Sequence, residues 1–322
     1  METLVLIDSN AIIHRAYHAL PKNMSTSRGE LTNVVYGFAT TLIKVLEDLK
    51  PEYIGASFDM RGPTFRHEVY QDYKATRVKA DQELYDQIPR VKELLNTMNI
   101  PIYEKEGFEA DDVLGTIAQK VQSEKRKAKN NGIEIYVISG DKDIFQLVNG
   151  NVKVYNLKKG LSQTQIVDRE SIKKEYDLDP EDFIDLKALA GDSSDNIPGV
   201  PGIGPKTATS LIQKFDTLGK LYEFLEANSY QLSANSLIKP RIVDLLIKYK
   251  EQAFMSQRLA TIHKDVPIDF SLDEMKWGEY DKEKLRAFFE ELGFRSLLAR
   301  FNSGGDKVSS KEKRGGGQMK LL

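Results

Sequence analysis

The chain has 322 residues, 40% of them hydrophobic, which is enough for one large or two modest domains with a real core. It contains no cysteine, so disulfides, thiolate metal sites and cysteine nucleophiles are excluded, and its four histidines (His14, His18, His67, His263) lack the paired spacing of a zinc site. The net charge of −2 argues only weakly against a nucleic-acid partner, because the average hides segregation. Basic residues gather at Arg61, Arg66, Lys74, Arg77 and Lys79, and again at Lys125, Arg126, Lys127 and Lys129, while acids gather in short motifs elsewhere. The start, "METLVLIDSN", lacks the basic and apolar regions of a signal peptide. No apolar run approaches the ~18 residues of a membrane span. A soluble, cytoplasmic protein is expected.

In chain order, "LVLID" (4–8) is a short β-rich run, and apolar residues from Val34 to Leu49 follow helical spacing before Pro51. "YIGASFD" (53–59) reads as a buried strand. Leu84 to Met98 and Val113 to Val121 mark amphipathic helices, the second opening near Glu109. "IEIYVISGD" (133–141) and "VKVYNL" (152–157) read as further strands. Strands alternating with helices predict a mainly parallel α/β sheet over 1–166. Beyond that point helical patterns dominate, at 168–176, 180–190, 205–215, 217–227, 239–257 and 281–292, giving a helical region over 167–301. From Asn302 to 322 the Gly/Ser/Lys composition reads as a flexible tail.

Three of the predicted strands end in acids: Asp8, Asp59, and Asp141 with Asp143. A single aspartate after a strand is ordinarily a turn residue or a helix cap. Three together place carboxylates in the crevice beyond the strand ends, where open parallel sheets bind ligands. "GFEADDVLGT" adds Glu109, Asp111 and Asp112 at a helix start, more than dipole stabilisation of a first turn calls for. Glu109 and Asp112 would share a helical face, and Asp192 and Asp195 repeat that spacing. Clustered carboxylates repel one another in a partly dry cleft unless divalent cations intervene. An all-oxygen ligand set favours Mg²⁺ or Mn²⁺ over zinc. Two such ions about 4 Å apart can activate a water and stabilise the leaving oxygen of a phosphodiester.

"RGPTFRHEVYQDYKATR" (61–77) offers cations and tyrosines. A helix there would put Lys74 and Arg77 on one face beside Tyr73, as a phosphate clamp with a ring available to stack on a base; a solvated surface helix is the plainer reading. "IPGVPGIGPKTA" (197–208) is more specific. Gly202 and Gly204 permit tight backbone geometry and Pro205 suits a first helical turn. The free N–H groups that follow, with Lys206, suit a DNA-backbone phosphate.

The ordered set Asp8, "FD" (58–59), "TFRH…YKATR" (64–77), "EADD" (109–112), "GDKD" (140–143) and "GDSSDNIPGVPGIGPKTA" (191–208) resembles the 5′ nuclease/flap endonuclease family, in particular its bacterial branch, which includes the 5′→3′ exonuclease domain of DNA polymerase I. The likeness covers roughly residues 1–300. It implies a PIN-like core with a helical arch at about 60–98 and a helix–three-turn–helix at about 183–215. It implies metal ligation by Asp8, Asp59, Glu109, Asp111, Asp112, Asp141 and Asp143, with Asp192 and Asp195 on the second-metal side. Tyr73, Lys74 and Arg77 match the catalytic residues of the arch that receives the 5′ strand, with Lys74 and Arg77 near the scissile phosphate. Arg66 and Lys187 are expected to contact DNA, as are Gly202, Gly204 and Lys206. K⁺ at the helix–three-turn–helix is implied as well. The implied activity is Mg²⁺-dependent 5′→3′ exonuclease and flap endonuclease cleavage of branched, nicked or RNA-primed DNA by a monomer, in primer removal and repair. A polymerase I would continue with further domains; a standalone nuclease or an excised domain is therefore expected.

The tail's Gln318, Leu321 and Leu322 resemble a short bacterial sliding-clamp-binding pattern; an arbitrary tail or linker is the alternative. Two competing functions remain at this level. A non-catalytic junction-binding module would bind without metal-dependent cleavage, and a PIN-type ribonuclease would leave the 197–208 hairpin unexplained.

Overall fold

The computed structural model describes residues 1–127, 132–160, 163–228 and 238–305. Six strands form one sheet: β1 (Glu2–Asp8), β2 (Tyr53–Ser57), β3 (Ile102–Tyr103), β4 (Ile133–Ser139), β5 (Val152–Lys159) and β6 (Gln163–Val167), in the spatial order β3-β2-β1-β4-β5-β6. All neighbours are parallel except β5 and β6. The helices of the first half are α1 (Ser9–Ala19), α2 (Asn33–Leu49), α3 (Phe65–Val69), α4 (Gln82–Tyr85), α5 (Ile88–Thr97) and α6 (Ala110–Lys127). The second half has α7 (Arg169–Tyr176), α8 (Asp182–Ala190), α9 (Pro205–Phe215), α10 (Leu218–Ala227), α11 (Pro240–Lys248), α12 (Lys250–Ala260), α13 (Lys282–Glu291) and α14 (Arg295–Gly305).

Alternate side chains of a strand face opposite sides of the sheet. Leu4 and Leu6 of β1, with Ile135 and Val137 of β4, enter a core built with α6 and helices α8 to α12. Val5 and Ile7, with Tyr136 and Ile138, enter the other core, built with α1, α2 and α5. Both faces are covered, which is why these strands read as continuous apolar runs. Leu285, Phe288 and Phe289 of α13 complete the second core, so the helical half closes both faces of the sheet, and the change from strands to helices, between β6 and α7, falls within a shared core.

Several elements differ from the sequence expectation. The pattern at 239–257 is two helices, α11 and α12, meeting at Tyr249. α1, the two-residue β3, and the antiparallel β6 are additions, and α14 carries helix to Gly305, past the expected tail boundary at Asn302. The expected arch is not one helical element here: α3 stops at Val69, 71–76 are turns, and helix resumes only with α4. Residues 306–322, and with them Gln318, Leu321 and Leu322, lie outside the described residues.

One buried ion pair fastens the halves together. Arg66 of α3, 2% exposed, donates from Nη1 and Nη2 to the two carboxylate oxygens of Asp112 at 2.7 and 2.8 Å. Its Nε and Nη2 also donate to the carbonyls of Leu259 and Thr261, at 2.9 and 3.0 Å, at the end of α12. Asp112, fully buried, accepts in addition from the backbone N–H of His263 at 2.7 Å. Removing one partner from such a pair strands a buried charge, at a cost of about 3–5 kcal/mol, whereas replacing both by apolar residues costs far less. Arg66→Met is therefore expected to lower unfolding free energy by about 3–5 kcal/mol in urea titration. Arg66→Met/Asp112→Leu should recover a large part; a double variant as unstable as the sum of both single variants would contradict this account.

Candidate active site

The strand order reverses between β1 and β4, and the crevice of an open parallel sheet lies at the carboxyl ends of such a pair. A cleft of about 230 Å³ is found there. Asp8, Asp59, Glu109, Asp111, Asp141 and Asp143 line it together with Lys74 and Arg77. Alongside lies a wider cleft of about 1070 Å³ that shares Asp141, Asp143 and Arg77 and adds Lys187 and Asp192.

Each acid is held by the element that delivers it. Asp8 ends β1 and caps α1, its Oδ1 accepting from the Ala11 N–H at 3.1 Å, so a cap and a cleft residue are the same side chain. Its Oδ2 accepts from Ser139 Oγ at 2.7 Å at the end of β4. The same Ser139 hydroxyl accepts from the Asp141 N–H at 3.0 Å, so one buried serine sets two acids. Asp59 accepts from the Ala110 N–H at 2.7 Å and from Asn10 Nδ2 at 2.8 Å, joining β2's end to the starts of α6 and α1. Asp141 Oδ1 accepts from the Asp143 N–H at 3.0 Å.

The crowding is visible in proton affinity. Burial, with the charges of Asp59 and Asp141, raises Asp8 to about 7 despite the Ser139 hydrogen bond. Burial and the Asp141 charge raise Asp143 to about 6 against the pull of Lys187. Burial and Asp112 raise Asp111 well above the usual carboxylate range. Asp192 goes the other way: burial raises it, but hydrogen bonds from Lys187 and Ser194 outweigh that and hold it at about 2.

The chain's own cations sit between the acids. Lys74 Nζ donates to Glu109 Oε1 at 2.7 Å; Arg77 pairs with Asp195; Lys187 pairs with Asp143 and, at 2.5 Å, with Asp192. Among the described residues, no three carboxylate or histidine side chains close into a finished ion cage.

The structure places several of these residues away from the expected positions. Asp112 does not line the cleft; both its oxygens are committed to Arg66 and the His263 N–H. Arg66 is equally committed and is buried away from any DNA. Lys74 and Arg77 stand on turns, Lys74 in the left-handed region with φ of 57°, and not on a helical face. Tyr73 is 3% exposed, so no face is free for a base; its ring meets His67 edge-on and its hydroxyl lies 3.2 Å from Glu109 and 3.1 Å from Asp195, able to donate to one at a time. Asp192 and Asp195 sit at a turn whose ends, Asp192 and Ile197, exchange backbone hydrogen bonds of 2.9 and 2.8 Å. Lys187, expected on DNA, occupies the acidic cleft in this state.

The hairpin's tight geometry falls at Gly191, Gly199 and Gly202, the last with φ of 89°, while Gly204 has an ordinary extended backbone with φ of −94°. Gly191 and Gly199 have φ of 73° and 59°, and a Cβ on Gly199 would lie 2.2 Å from the Gly191 nitrogen, so two backbones touch where no side chain fits. Gly204 caps α9 without a side-chain acceptor for the first-turn N–H groups. Gly202, Gly204 and Lys206 are exposed. Sequence reasoning missed Ser139, whose signal was its place two residues before Asp141, and Asn196, which only the folded turn reveals.

An oxygen-lined cleft at a sheet switch point, beside a glycine hairpin with open N–H groups, is the architecture of a PIN-like nuclease joined to a helical DNA-gripping motif. Residues 3–177 match the family model of the 5′-3′ exonuclease N-terminal resolvase-like domain and residues 178–283 that of the 5′-3′ exonuclease C-terminal SAM fold. The chain belongs to the 5′-3′ exonuclease family, nucleases that hydrolyse DNA phosphodiester bonds. It is 42% identical over 297 residues to DNA polymerase I of Bacillus subtilis, covering 92% of this chain and 32% of that protein. It is 41% identical over 295 residues to that of Chloroflexus aurantiacus, covering 90% of this chain and 29% of that protein. The chain thus spans about a third of these relatives. In fold it is similar to phage T5 5′-exonuclease, solved with divalent metal ions (zinc) bound, with TM-score 0.64, 18% identity, and 95% and 99% of the two chains covered. It is also similar to the catalytic core of Rad2 in complex with a DNA substrate, with TM-score 0.57, 20% identity, and 93% and 91% covered.

A carboxyl raised on folding binds its proton more tightly in the folded state, so its stabilising contribution is full at low pH and is lost as pH rises through the folded value. With Asp8 raised to about 7 and Asp143 to about 6, the metal-free protein should lose melting temperature between about pH 4, the ordinary carboxyl value, and about pH 7. Asp8→Asn should flatten that profile and raise the melting temperature at about pH 8 in EDTA. An equally steep profile in the variant would show that Asp8 is not the strained group.

Proposed function

We propose that the chain is a Mg²⁺-dependent 5′→3′ exonuclease and flap endonuclease that cuts DNA at flaps, nicks and 5′ ends, including RNA-primed ends, in primer removal and repair. The observation that carries this reading is the gathering of six carboxylates in one cleft with Lys74 and Arg77 on its wall. The donor set fits a hard divalent cation: it is all oxygen, and the elevation of Asp8, by burial first and by the Asp59 and Asp141 charges after it, marks a carboxylate that the chain's own cations leave unbalanced. Asp8, Asp59, Glu109, Asp111, Asp141 and Asp143 would hold Mg²⁺, or Mn²⁺ in its place, with Asp192 and Asp195 on the second-metal side. When bound, two such ions supply an activated water and neutralise the leaving oxygen. T5 5′-exonuclease with its divalent ions and Rad2 with its DNA support both parts of the reading.

The chain's residues do the rest. The first turn of α9, with Gly202, Gly204 and Lys206, holds a duplex phosphate without reading bases. Lys74 and Arg77 exchange their carboxylates for the scissile phosphate and stabilise charge developing on it. Tyr73 and Ser139 hold Glu109, Asp195, Asp8 and Asp141 in place. Lys187, poised between Asp143 and Asp192, is released to the DNA as cations enter the cleft. K⁺ at the hairpin's backbone carbonyls, binding of the tail to the sliding clamp, a monomeric state and a cytoplasmic, nucleoid-associated site complete the proposal. Among the described residues, no helix is long and apolar enough to cross a membrane.

Two variants test the assignment on a labelled 5′-flap duplex. Asp141→Ala should abolish cleavage in Mg²⁺ while flap binding stays within about twofold; retained cleavage would remove Asp141 from the site, and binding without cleavage by the wild type would favour the junction-binding module. Lys74→Ala should slow single-turnover cleavage by about 10²- to 10³-fold, the scale of losing one charge-stabilising donor, with little loss of duplex affinity. Equal losses in both would reduce Lys74 to a docking residue.

A further inference from the structure

The segment that carries Lys74 has little structure of its own. Its internal hydrogen bonds are single turns, from the N–H of Tyr73, Ala75 and Arg77 to the carbonyls of Tyr70, Asp72 and Lys74, each of 3.0 Å. Lys74 nonetheless holds a left-handed backbone, φ 57°, that a lysine seldom adopts and that persists only where the surroundings enforce it. The enforcing contacts come from the turn that follows Asp192. The Lys74 N–H donates to the Asp195 carbonyl at 2.8 Å, Arg77 Nε donates to the Ser194 carbonyl at 3.2 Å, and Asn196 Nδ2 donates to the Asp72 carbonyl at 2.7 Å. Asn196 is itself left-handed, φ 55°, a conformation asparagine tolerates and which turns its amide back towards Asp72.

We infer that Asn196 is a positioning residue for Lys74: it ties the duplex-gripping loop to the segment that delivers the catalytic lysine, so that seating the duplex sets the place of the Lys74 ammonium. The inference rests on the nuclease reading and on Lys74 acting at the scissile phosphate. Asn196 begins the stretch Asn196–Pro198 that leads from the acids at 192 and 195 into the 199–204 hairpin, and Asp72 lies two residues before Lys74. A displacement of the hairpin is therefore passed to Lys74 through one side-chain bond and one backbone bond. The Asn196 amide bonds to the Asp72 carbonyl and Asn196 lines neither cleft, so the inferred route of its effect on the reaction is through Lys74.

The test separates conformation from contact. Asn196→Gly keeps the left-handed backbone and removes the amide, and Asn196→Asp keeps the shape while setting a carboxylate against the Asp72 carbonyl. With the full chain and a 5′-flap duplex in Mg²⁺, Asn196→Gly is expected to slow single-turnover cleavage by on the order of 10- to 100-fold, as misplacement of a catalytic group by about 1 Å does. Flap binding in EDTA should stay within about twofold. Combined with Lys74→Ala it should add little further loss, because the tie has nothing left to position. A wild-type rate in Asn196→Gly, or losses that multiply in the double variant, would overturn the inference. If Asn196→Gly melts early, Asn196→Asp is read by the same two criteria. Failure of the wild type to cut would instead contradict the nuclease reading and this inference with it, so the two failures are distinct.

Discussion

Carboxylates gathered at the ends of parallel strands repel one another, and the rest of this structure is arranged around holding them there. β1, β2 and β4 deliver Asp8, Asp59 and Asp141 to one crevice because they are adjacent in the sheet. Serine and backbone N–H groups fix the oxygens, and lysines and arginines lie between the acids. The balance is incomplete: Asp8 and Asp143 are still driven up to about 7 and about 6. A site that is electrostatically unfinished without cations is a site that gains stability from binding them.

The same acids serve as structural joints. Asp8 caps α1, Asp59 holds the start of α6, and Asp195 anchors the turn carrying Lys74. Asp112, which the motif spacing groups with the metal acids, is the far extreme: it gives up the cleft to accept from Arg66 and from the His263 N–H, while Arg66 itself reaches the end of α12. That pair and the 192–208 stretch are among the ties that fix the helical half to the sheet's carboxyl edge. The start of α9 and the cleft at the ends of β1 and β4 are thereby held at a set distance.

Much of this was legible in the sequence. The apolar runs at 4–8, 53–59 and 133–141 announced strands buried on both faces, and their terminal acids announced the cleft, because both signals are local. The glycines and Lys206 of the hairpin were equally readable. What failed were inferences that carried helical spacing into segments where tertiary contacts override it. Glu109 and Asp112 diverge because Glu109 precedes the first residue of α6 and turns to Lys74, with Arg66 3.5 Å away, whereas Asp112 is bound through both oxygens by Arg66. Lys74 and Arg77 stand on turns because the Ser194–Asn196 backbone and side chains hold them there. α1 follows β1 with no intervening loop, and its cap, Asp8, is at once the end of the strand, the start of the helix and a cleft acid.

The central claim is that this acidic cleft cuts DNA only when divalent cations balance it. The most direct measurement is product mapping on a labelled double-flap duplex, with Mg²⁺ and with EDTA. The account predicts cleavage at the flap junction, leaving a 5′-phosphate on the duplex product, in Mg²⁺ and none in EDTA. Cleavage of equal rate in both, or cuts scattered with no relation to the junction, would contradict it.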